Sequence, residues 1–179
     1  MDLVTNRLIL REFQVEDIEA VHAYASDPEV CRYSDWGPNT NEDTRKFMED
    51  TLVERLRHPR NQFALGIVIK DSNELIGACS LTRTEPLQGE IGYSLNRNYW
   101  GYGFATEAAQ AMLRFAFKEL NLHRVYATCR PSNIGSSRVL EKVGMTREGH
   151  LREHRFFKGQ WHDSFLYAIL HSELKTDDN

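Results

Sequence analysis

The stretch NRNYWGYGFATEAAQAMLRFAF, residues 96–117, combines a glycine-rich turn with a long helical pattern. Gly101 and Gly103 stand just before a long alanine-rich pattern that predicts a helix to about residue 120. The start of a helix carries unpaired backbone N–H groups and a partial positive charge, which suit an anion such as phosphate. Glycines there remove side chains that would keep an anion away from the backbone. Two interpretations remain open, an anion-binding turn and a turn that only links a strand to a helix.

The strand before this turn, GEIGYSLN, alternates between an apolar and a polar face. The apolar face holds Ile91, Tyr93 and Leu95, and the polar or small face holds Glu90, Gly92, Ser94 and Asn96. A dinucleotide-binding strand is buried on both sides and would be apolar throughout. The polar face leaves room for a substrate and places a carboxylate beside it.

Nucleotide-binding motifs fit the turn poorly. Phe104-Ala105 stands where the Walker pattern needs Lys-Ser/Thr, and Thr106 replaces the third glycine of a dinucleotide fingerprint. The next strand ends in Arg130, which would suit a phosphate but not the two hydroxyls of a ribose.

The rest of the chain predicts one mixed α/β domain over residues 1–179. Strands are predicted at residues 7–13, 62–69, 74–83, 90–96, 124–130, 145–157 and 161–170, with helices at 17–26, up to about 57, up to about 120, and 136–143. A meander of strands followed by crossover helices predicts a mixed sheet.

Composition excludes several classes of protein. The net charge of −4, from 22 basic and 26 acidic residues, gives no overall attraction to nucleic acid or to an anionic membrane. No apolar run is long enough to span a bilayer, and the first residues have no signal-peptide core. Cys31, Cys79 and Cys129 form no CxxC pair, so we expect reduced thiols and a cytoplasmic protein.

Two longer motifs identify the chain as a member of a known family. GEIGYSLNRNYWGYGFATEA, residues 89–108, resembles the acyl-CoA-binding motif of the GNAT superfamily of acetyl-CoA-dependent N-acetyltransferases, and NIGSSRVLEKVGMTREG, residues 133–149, is similar to its Asn-x-x-Ser helix and the following strand. TNRLILREF near the start and WHDSFLYAIL near the end also match, and the RimJ/RimL-like branch is the most similar. The resemblance implies a GNAT-like central mixed, mostly antiparallel sheet with helices on both faces.

The same resemblance implies where acetyl-CoA binds. The diphosphate is expected at the helix start, and pantetheine between two splayed strands, against the exposed edge of residues 93–95. Asn98 departs from the Arg or Gln common at its position, which we expect to alter affinity only, because main-chain N–H groups hold the diphosphate. The implied cosubstrate-binding residues are Tyr93, Ser94, Leu95, Asn98, Gly101, Tyr102, Gly103, Phe104, Ala105, Thr106, Asn133 and Ser136.

Three groups are candidates for the chemistry. Glu90 is the candidate base for the amine, against the alternative of a carboxylate that is solvated or only orients the substrate. A main-chain N–H near Leu95, on a strand that the resemblance implies is bulged, is the expected oxyanion donor. Ser136 matches the family serine near the CoA sulfur, although a first-turn helix serine is an equal alternative. Asn133 is expected to bind pantetheine, to cap the helix, or both.

The acceptor side is less defined. Tyr33, Trp36 and Trp161 are expected to flank the acceptor together with Glu90, and the alternative for the two tryptophans is that they are core aromatics. No metal is expected, because His150 and His154 on a strand lie too far apart to share an ion. No GxSxG elbow supports a hydrolase.

The sequence therefore predicts an N-acetyltransferase acting on a primary amine by direct attack through a tetrahedral intermediate. The acceptor is a protein N-terminal α-amino group of the ribosomal-protein type or, alternatively, a small molecule such as a polyamine or an antibiotic. A non-catalytic acyl-CoA-binding module is the alternative from another class. Nucleic acid and membrane are not expected partners, and pairing of sheet edges would be compatible with a homodimer.

Overall fold

The computed structural model describes residues 1–174 of the chain. Over that range the strands are β1 (Asp2–Val4), β2 (Leu8–Glu12), β3 (Gln62–Ile69), β4 (Leu75–Glu85), β5 (Gln88–Leu95), β6 (Arg124–Cys129), β7 (Thr146–Phe157) and β8 (Gln160–Leu170). The α-helices are α1 (Ile18–Ala25), α2 (Asn41–Glu54), α3 (Phe104–Lys118) and α4 (Ile134–Lys142). Short 3₁₀ turns occupy Val15–Asp17, Arg97–Tyr99 and His171–Glu173.

The strands form a single sheet in the order β1-β2-β3-β4-β5-β6-β8-β7. Each neighbouring pair is antiparallel except β5 and β6, which are parallel. The predicted fold class, a mixed and mostly antiparallel sheet with helices on both faces, is confirmed. The sequence reading missed β1, because three residues are too few to show an alternating pattern. It also extended α2 to about residue 57, beyond its observed end at Glu54.

The sheet separates two apolar cores. The larger core packs α3 and α4 against the face that carries Ile91, Leu95 and Val125. The smaller core packs α1 and α2 against the other face, around Phe13 and Val68. The three cysteines are free and buried.

The parallel pair β5–β6 is short, and this shapes the site. Its pairing runs from Gln88–Arg124 to Glu90–Tyr126 and then stops. Beyond that point β5 stays paired with β4 as far as Leu95, and β6 stays paired with β8 as far as Cys129. The two strands therefore diverge, and a gap opens in the middle of the sheet.

The gap edge is held in place by close packing at Gly77 of β4. A Cβ atom added at Gly77 would lie 2.2 Å from the carbonyl oxygen of Ser94 in β5. Gly77→Ala is expected to push the strands apart and lower the free energy of unfolding by about 1–3 kcal/mol, or roughly 2–12 °C in Tm. Gly92→Ala is the matched control, because its Cβ would meet only the Ser80 hydroxyl, at 3.4 Å. Equal Tm values for the two variants in differential scanning calorimetry would contradict this packing.

Candidate active site

The turn before α3 is open and has an unusual backbone. Gly101 and Gly103 lie in the left-handed region, with φ of 84° and 82°, which glycine adopts without a steric cost. Gly103 is the N-cap of α3 and offers no side chain to its first N–H groups. A Cβ added at Gly101 would meet nothing within 4 Å. The first turn of α3 therefore presents its unpaired N–H groups beside open space.

An ion pair between distant parts of the chain fixes this turn. Arg7 donates from Nε to Glu107 Oε2 at 2.7 Å and from Nη1 to the carbonyl oxygen of Tyr102 at 3.0 Å. Thr5 donates to the same carboxylate at 2.6 Å. Burial works to raise the pKa of Glu107, but these hydrogen bonds outweigh it and the pKa is lowered. A groove of about 620 Å³ runs beside the turn, between the segment before β2 and the helices α3 and α4.

The edge of β5 is unpaired where the strands diverge. The Asn96 N–H donates to the carbonyl oxygen of Ile76 at 2.8 Å, so by the alternation of an antiparallel ladder the N–H groups of Leu95 and Tyr93 point into the gap. The ladder with β4 has no register shift between Glu90 and Leu95. The expected bulge near Leu95 is therefore wrong. The N–H of Leu95 is exposed to the gap by the loss of its neighbouring strand instead.

The start of α4 closes one side of the gap. Asn133 caps this helix by accepting a hydrogen bond from the Ser136 N–H at 3.1 Å, as predicted for a helix N-cap. The hydroxyl of Tyr93 lies 3.0 Å from Ser136 Oγ and also donates to the Ser136 carbonyl oxygen at 3.1 Å. Burial raises the pKa of Tyr93, more than the hydrogen bond with Ser136 lowers it. The phenol therefore keeps its proton at neutral pH.

Glu90 lies on the opposite face of the sheet from Tyr93 and Ser136. It is half-buried at the last paired position of β5 and β6, where the gap begins. By strand alternation Tyr126, Thr128 and Arg130 lie on the same face as Glu90. The predicted site residues thus form two groups, one on each face of the sheet, and the gap between β5 and β6 connects the two faces.

The hairpin of β7 and β8 borders the Glu90 face. Its register shifts between Leu151 and Arg155, where the Asp163 carboxylate accepts from the Glu153 N–H at 2.8 Å. In this shifted segment His154 Nδ1 lies 2.7 Å from the hydroxyl of Ser164, which is fully buried. Burial and the nearby charges of Arg155 and Arg130 lower the pKa of His154.

The hairpin turn is joined to the loop that follows α1. Lys158 donates from Nζ to the carbonyl oxygens of Cys31 at 2.6 Å and Trp36 at 3.5 Å. Trp36 and Trp161 are 37% and 58% exposed, so neither is a core aromatic. Tyr33 is half-buried in the same loop. Their contact with an acceptor stays a prediction.

The remaining predicted cosubstrate-binding residues make few contacts through their side chains. Asn98 is exposed, and its N–H donates to Asn96 Oδ1 at 3.0 Å. Tyr102 is exposed, whereas Phe104 packs under the Arg7 guanidinium at 4.5 Å. Within residues 1–174, no group of three His, Cys, Asp or Glu side chains is arranged to hold a metal ion. Nor is any helix of that range long and apolar enough to cross a membrane.

Sequence reasoning missed the two arrangements that depend on distant residues. The ion pair of Arg7 with Glu107 joins positions 100 residues apart, and no local sequence pattern predicts it. The burial of Arg130 depends on the hairpin that packs over it. The only sequence signal was its place at the end of a strand.

The mixed sheet with its diverging β5 and β6 agrees with the fold that the GNAT resemblance implies, and likeness to known proteins supports the same class. Residues 7–146 match the family described as the Acetyltransferase (GNAT) domain, and the chain belongs to it. The predicted enzyme class and the RimJ/RimL-like resemblance are confirmed.

Three relatives show how far the likeness extends. The N-acetyltransferase YnaD of Bacillus subtilis is 39% identical over 174 residues, which are 97% of this chain and 99% of that protein. The crystal structure of a GNAT-family acetyltransferase from Bacillus anthracis is 38% identical, with a TM-score of 0.87, over 97% of this chain and 100% of that one. The ribosomal-protein-serine acetyltransferase of Escherichia coli is 33% identical over 131 residues, 72% of this chain and 71% of that protein.

Proposed function

We propose that this enzyme transfers the acetyl group of acetyl-CoA to the N-terminal α-amino group of a protein. The observation that carries the proposal is the divergence of β5 from β6, which exposes main-chain groups beside a glycine-capped helix start. Acyl transfer to an amine needs a neutral amine, a stabilised oxyanion and a proton for the leaving thiolate. The site offers a candidate group for each of the first two requirements, and a hydrogen-bond donor for the leaving thiolate.

The residues present fit acetyl-CoA. The N–H groups of Phe104, Ala105 and Thr106 would bind the diphosphate, since a Cβ at Gly101 would find only open space. The amides of pantetheine would pair with the free edge of β5, from Tyr93 through Ser94 to Leu95, as an added strand does. The bound cosubstrate supplies an acetyl thioester whose carbonyl carbon is the electrophile.

Asn133 would bind the pantetheine arm and cap α4 at the same time. Its side-chain oxygen accepts from the Ser136 N–H. Its side-chain NH₂ group is a separate donor and stays available for a ligand carbonyl. The two functions considered for this residue are therefore compatible.

On the other face, Glu90 would accept the proton of the acceptor ammonium, directly or through water. An α-amino group has an ordinary pKa of about 7.7–8.0, so a base needs to supply only modest help near neutral pH. The Leu95 N–H would then donate to the oxyanion that develops on the acetyl oxygen. This direct attack leaves the thiolate as the group that must be protonated.

Ser136 would donate a hydrogen bond to the leaving thiolate, and the proton itself would come from water. An alcohol alone is a poor acid beside a thiol of pKa about 8.5. The Tyr93 hydroxyl, 3.0 Å from Ser136 Oγ, would hold the serine hydroxyl in position toward the sulfur. Ser136→Ala and Tyr93→Phe are each expected to lower kcat roughly five- to tenfold, the value of one hydrogen bond.

A double-mutant cycle tests whether these two residues act as a unit. If they do, the double variant loses little more kcat than either single variant. Tyr167→Phe is the matched control, because that phenol also bonds α4, through Glu141 Oε1 at 3.1 Å. Losses that add fully, or that the control reproduces, would exclude the proposed donor pair.

A protein acceptor is supported by the ribosomal-protein-serine acetyltransferase of Escherichia coli among the relatives. Thiol release from acetyl-CoA tests the proposal with three acceptors: a peptide with a free N-terminus, the same peptide with a blocked N-terminus, and spermidine. We expect release with the free peptide alone. Release with spermidine alone would favour a small-amine enzyme. Binding of acetyl-CoA without release on any amine would indicate a non-catalytic module.

A further inference from the structure

Arg130 is a buried cation without a partner. Its side chain belongs to a residue only 8% exposed, and within residues 1–174 it makes no hydrogen bond or ion pair. The guanidinium lies over the ring of Phe157, whose centroid is 5.9 Å from the guanidinium carbon. Buried arginines are ordinarily paired, because an unpaired buried charge is costly. This residue therefore needs an anion that the described chain does not supply.

The guanidinium faces the acceptor side of the sheet. Arg130 follows β6 and continues the face of Tyr126, which pairs with Glu90. The antiparallel register Cys129–Phe165, extended by one residue, sets Arg130 opposite Ser164. Since no fully buried side-chain nitrogen within residues 1–174 lacks a partner, the unpaired guanidinium nitrogens retain contact with open space.

The neighbouring acids leave this charge uncompensated. The Asp35 carboxylate forms an ion pair with Arg155, with 3.6 Å between Oδ2 and Nη1. Burial, and then the charge of Arg155, lower the pKa of Arg130, while Asp35 and Glu90 act in the opposite direction. The net effect is a lowered pKa of Arg130. Glu90, meanwhile, is the group proposed to receive the acceptor ammonium.

We propose that Arg130 binds a carboxylate that the acceptor carries close to its reacting amine. The inference rests on the proposed acetyltransferase function and names the acceptor class within it. The ammonium of such an acceptor approaches Glu90 on β5, and its carboxylate forms a bidentate pair with the guanidinium at the end of β6. Acceptors of this kind are free amino acids and peptides with an acidic residue at or next to the N-terminus.

This charge pattern disfavours polyamines. A polyamine would bring further ammonium groups toward Arg130 and Arg155, and like charges in a partly buried site repel strongly. A carboxylate would neutralise the charge of the Arg130 guanidinium and replace the hydrogen bonds to water that the guanidinium loses on burial. The site thus selects by attraction for one class and repulsion of the other.

The test compares acceptor pairs that differ only in a carboxylate. One arm uses serine and serinamide, and the other uses C-terminally amidated peptides that begin Ser-Asp or Ser-Asn. In the wild type we expect a KM about 10–100-fold lower for the carboxylate member of a pair, the value of hydrogen bonds to a charged group. The arm that shows the difference distinguishes a free amino acid from an acidic N-terminus.

Variants then assign the effect to Arg130. Arg130→Met keeps the length of the side chain and should raise the KM for the carboxylate acceptor about 10–100-fold, leaving that of its amide unchanged. Arg130→Lys, which keeps the charge but loses the fork, should recover part of the loss. Arg45→Met, at an exposed position on α2, is the control. An unchanged Kd for CoA shows that each variant is folded.

Calorimetric titration of the same acceptors into the CoA-bound protein gives a readout that does not need turnover. Weak binding of the carboxylate members to Arg130→Met and tight binding to the wild type supports the inference even where no acceptor is acetylated. If the wild type acetylates both members of each pair with equal KM, the inference is overturned and the acetyltransferase proposal stands. If it binds both members equally and acetylates neither, both fail.

Discussion

Glu90→Gln is expected to lower kcat about 10²–10⁴-fold, the usual worth of a general base. The substitution keeps the size of the side chain at the point where β5 and β6 diverge, but removes its ability to accept a proton. The KM for acetyl-CoA should change little, because the proposed cosubstrate contacts lie on other residues. Below pH about 7.7–8.0, activity of the variant should rise about tenfold per pH unit, since only acceptor that is already neutral reacts.

Glu85→Gln is the matched control for this prediction. It makes the same chemical change at an exposed position at the end of β4, in the hairpin that leads into β5. Its kcat should equal that of the wild type. A Glu90→Gln enzyme with near-normal kcat at neutral pH would show that the amine arrives neutral or loses its proton elsewhere.

Gly101→Ala is expected to raise the Kd for CoA about 10–100-fold, the loss of hydrogen bonds to a charged group. The added methyl group would enter the open space through which the diphosphate is proposed to approach the backbone. A branched residue at Gly103 is a poorer probe, because its Cβ would also lie 3.5 Å from the guanidinium of Arg7. That variant would disturb the ion pair with Glu107 as well as the ligand.

Gly159→Ala separates ligand loss from backbone strain. Gly159 has φ of 78°, close to the 84° of Gly101, and a Cβ there also meets nothing within 4 Å. Both variants should therefore lose similar stability, about 1–2 kcal/mol for a left-handed residue other than glycine. Only Gly101→Ala should weaken CoA binding in calorimetry. Equal Kd values of the two variants for CoA would show that the diphosphate does not bind at this turn.

The alternation of residues 89–96 explains why much of the site could be predicted from the sequence. A period of two assigns Glu90 and Tyr93 to opposite faces of one strand, and the structure places them so. The glycines before α3 likewise predict an open helix start, because few other residues adopt a left-handed backbone. These signals are local, and each depends on fewer than about ten residues.

What could not be predicted depends on contacts between distant segments. Arg130 stands at the end of a predicted strand, but its burial and lack of a partner follow from the packing of the β7–β8 hairpin against β6. The divergence of β5 and β6 is also invisible locally, since both strands continue after their pairing ends. The gap was predicted only from the resemblance to a family, and the structure shows where the pairing of the two strands ends.

Intact-mass analysis of acceptor proteins tests the central claim most directly. The enzyme, acetyl-CoA and a mixture of ribosomal proteins are incubated, and the products are mapped to individual residues. We predict that a wild-type reaction adds one acetyl group to the N-terminal α-amino group of at least one protein, and that Glu90→Gln under the same conditions adds it far more slowly. Acetyl groups found only on lysine side chains, or at equal rates with both enzymes, would contradict the account.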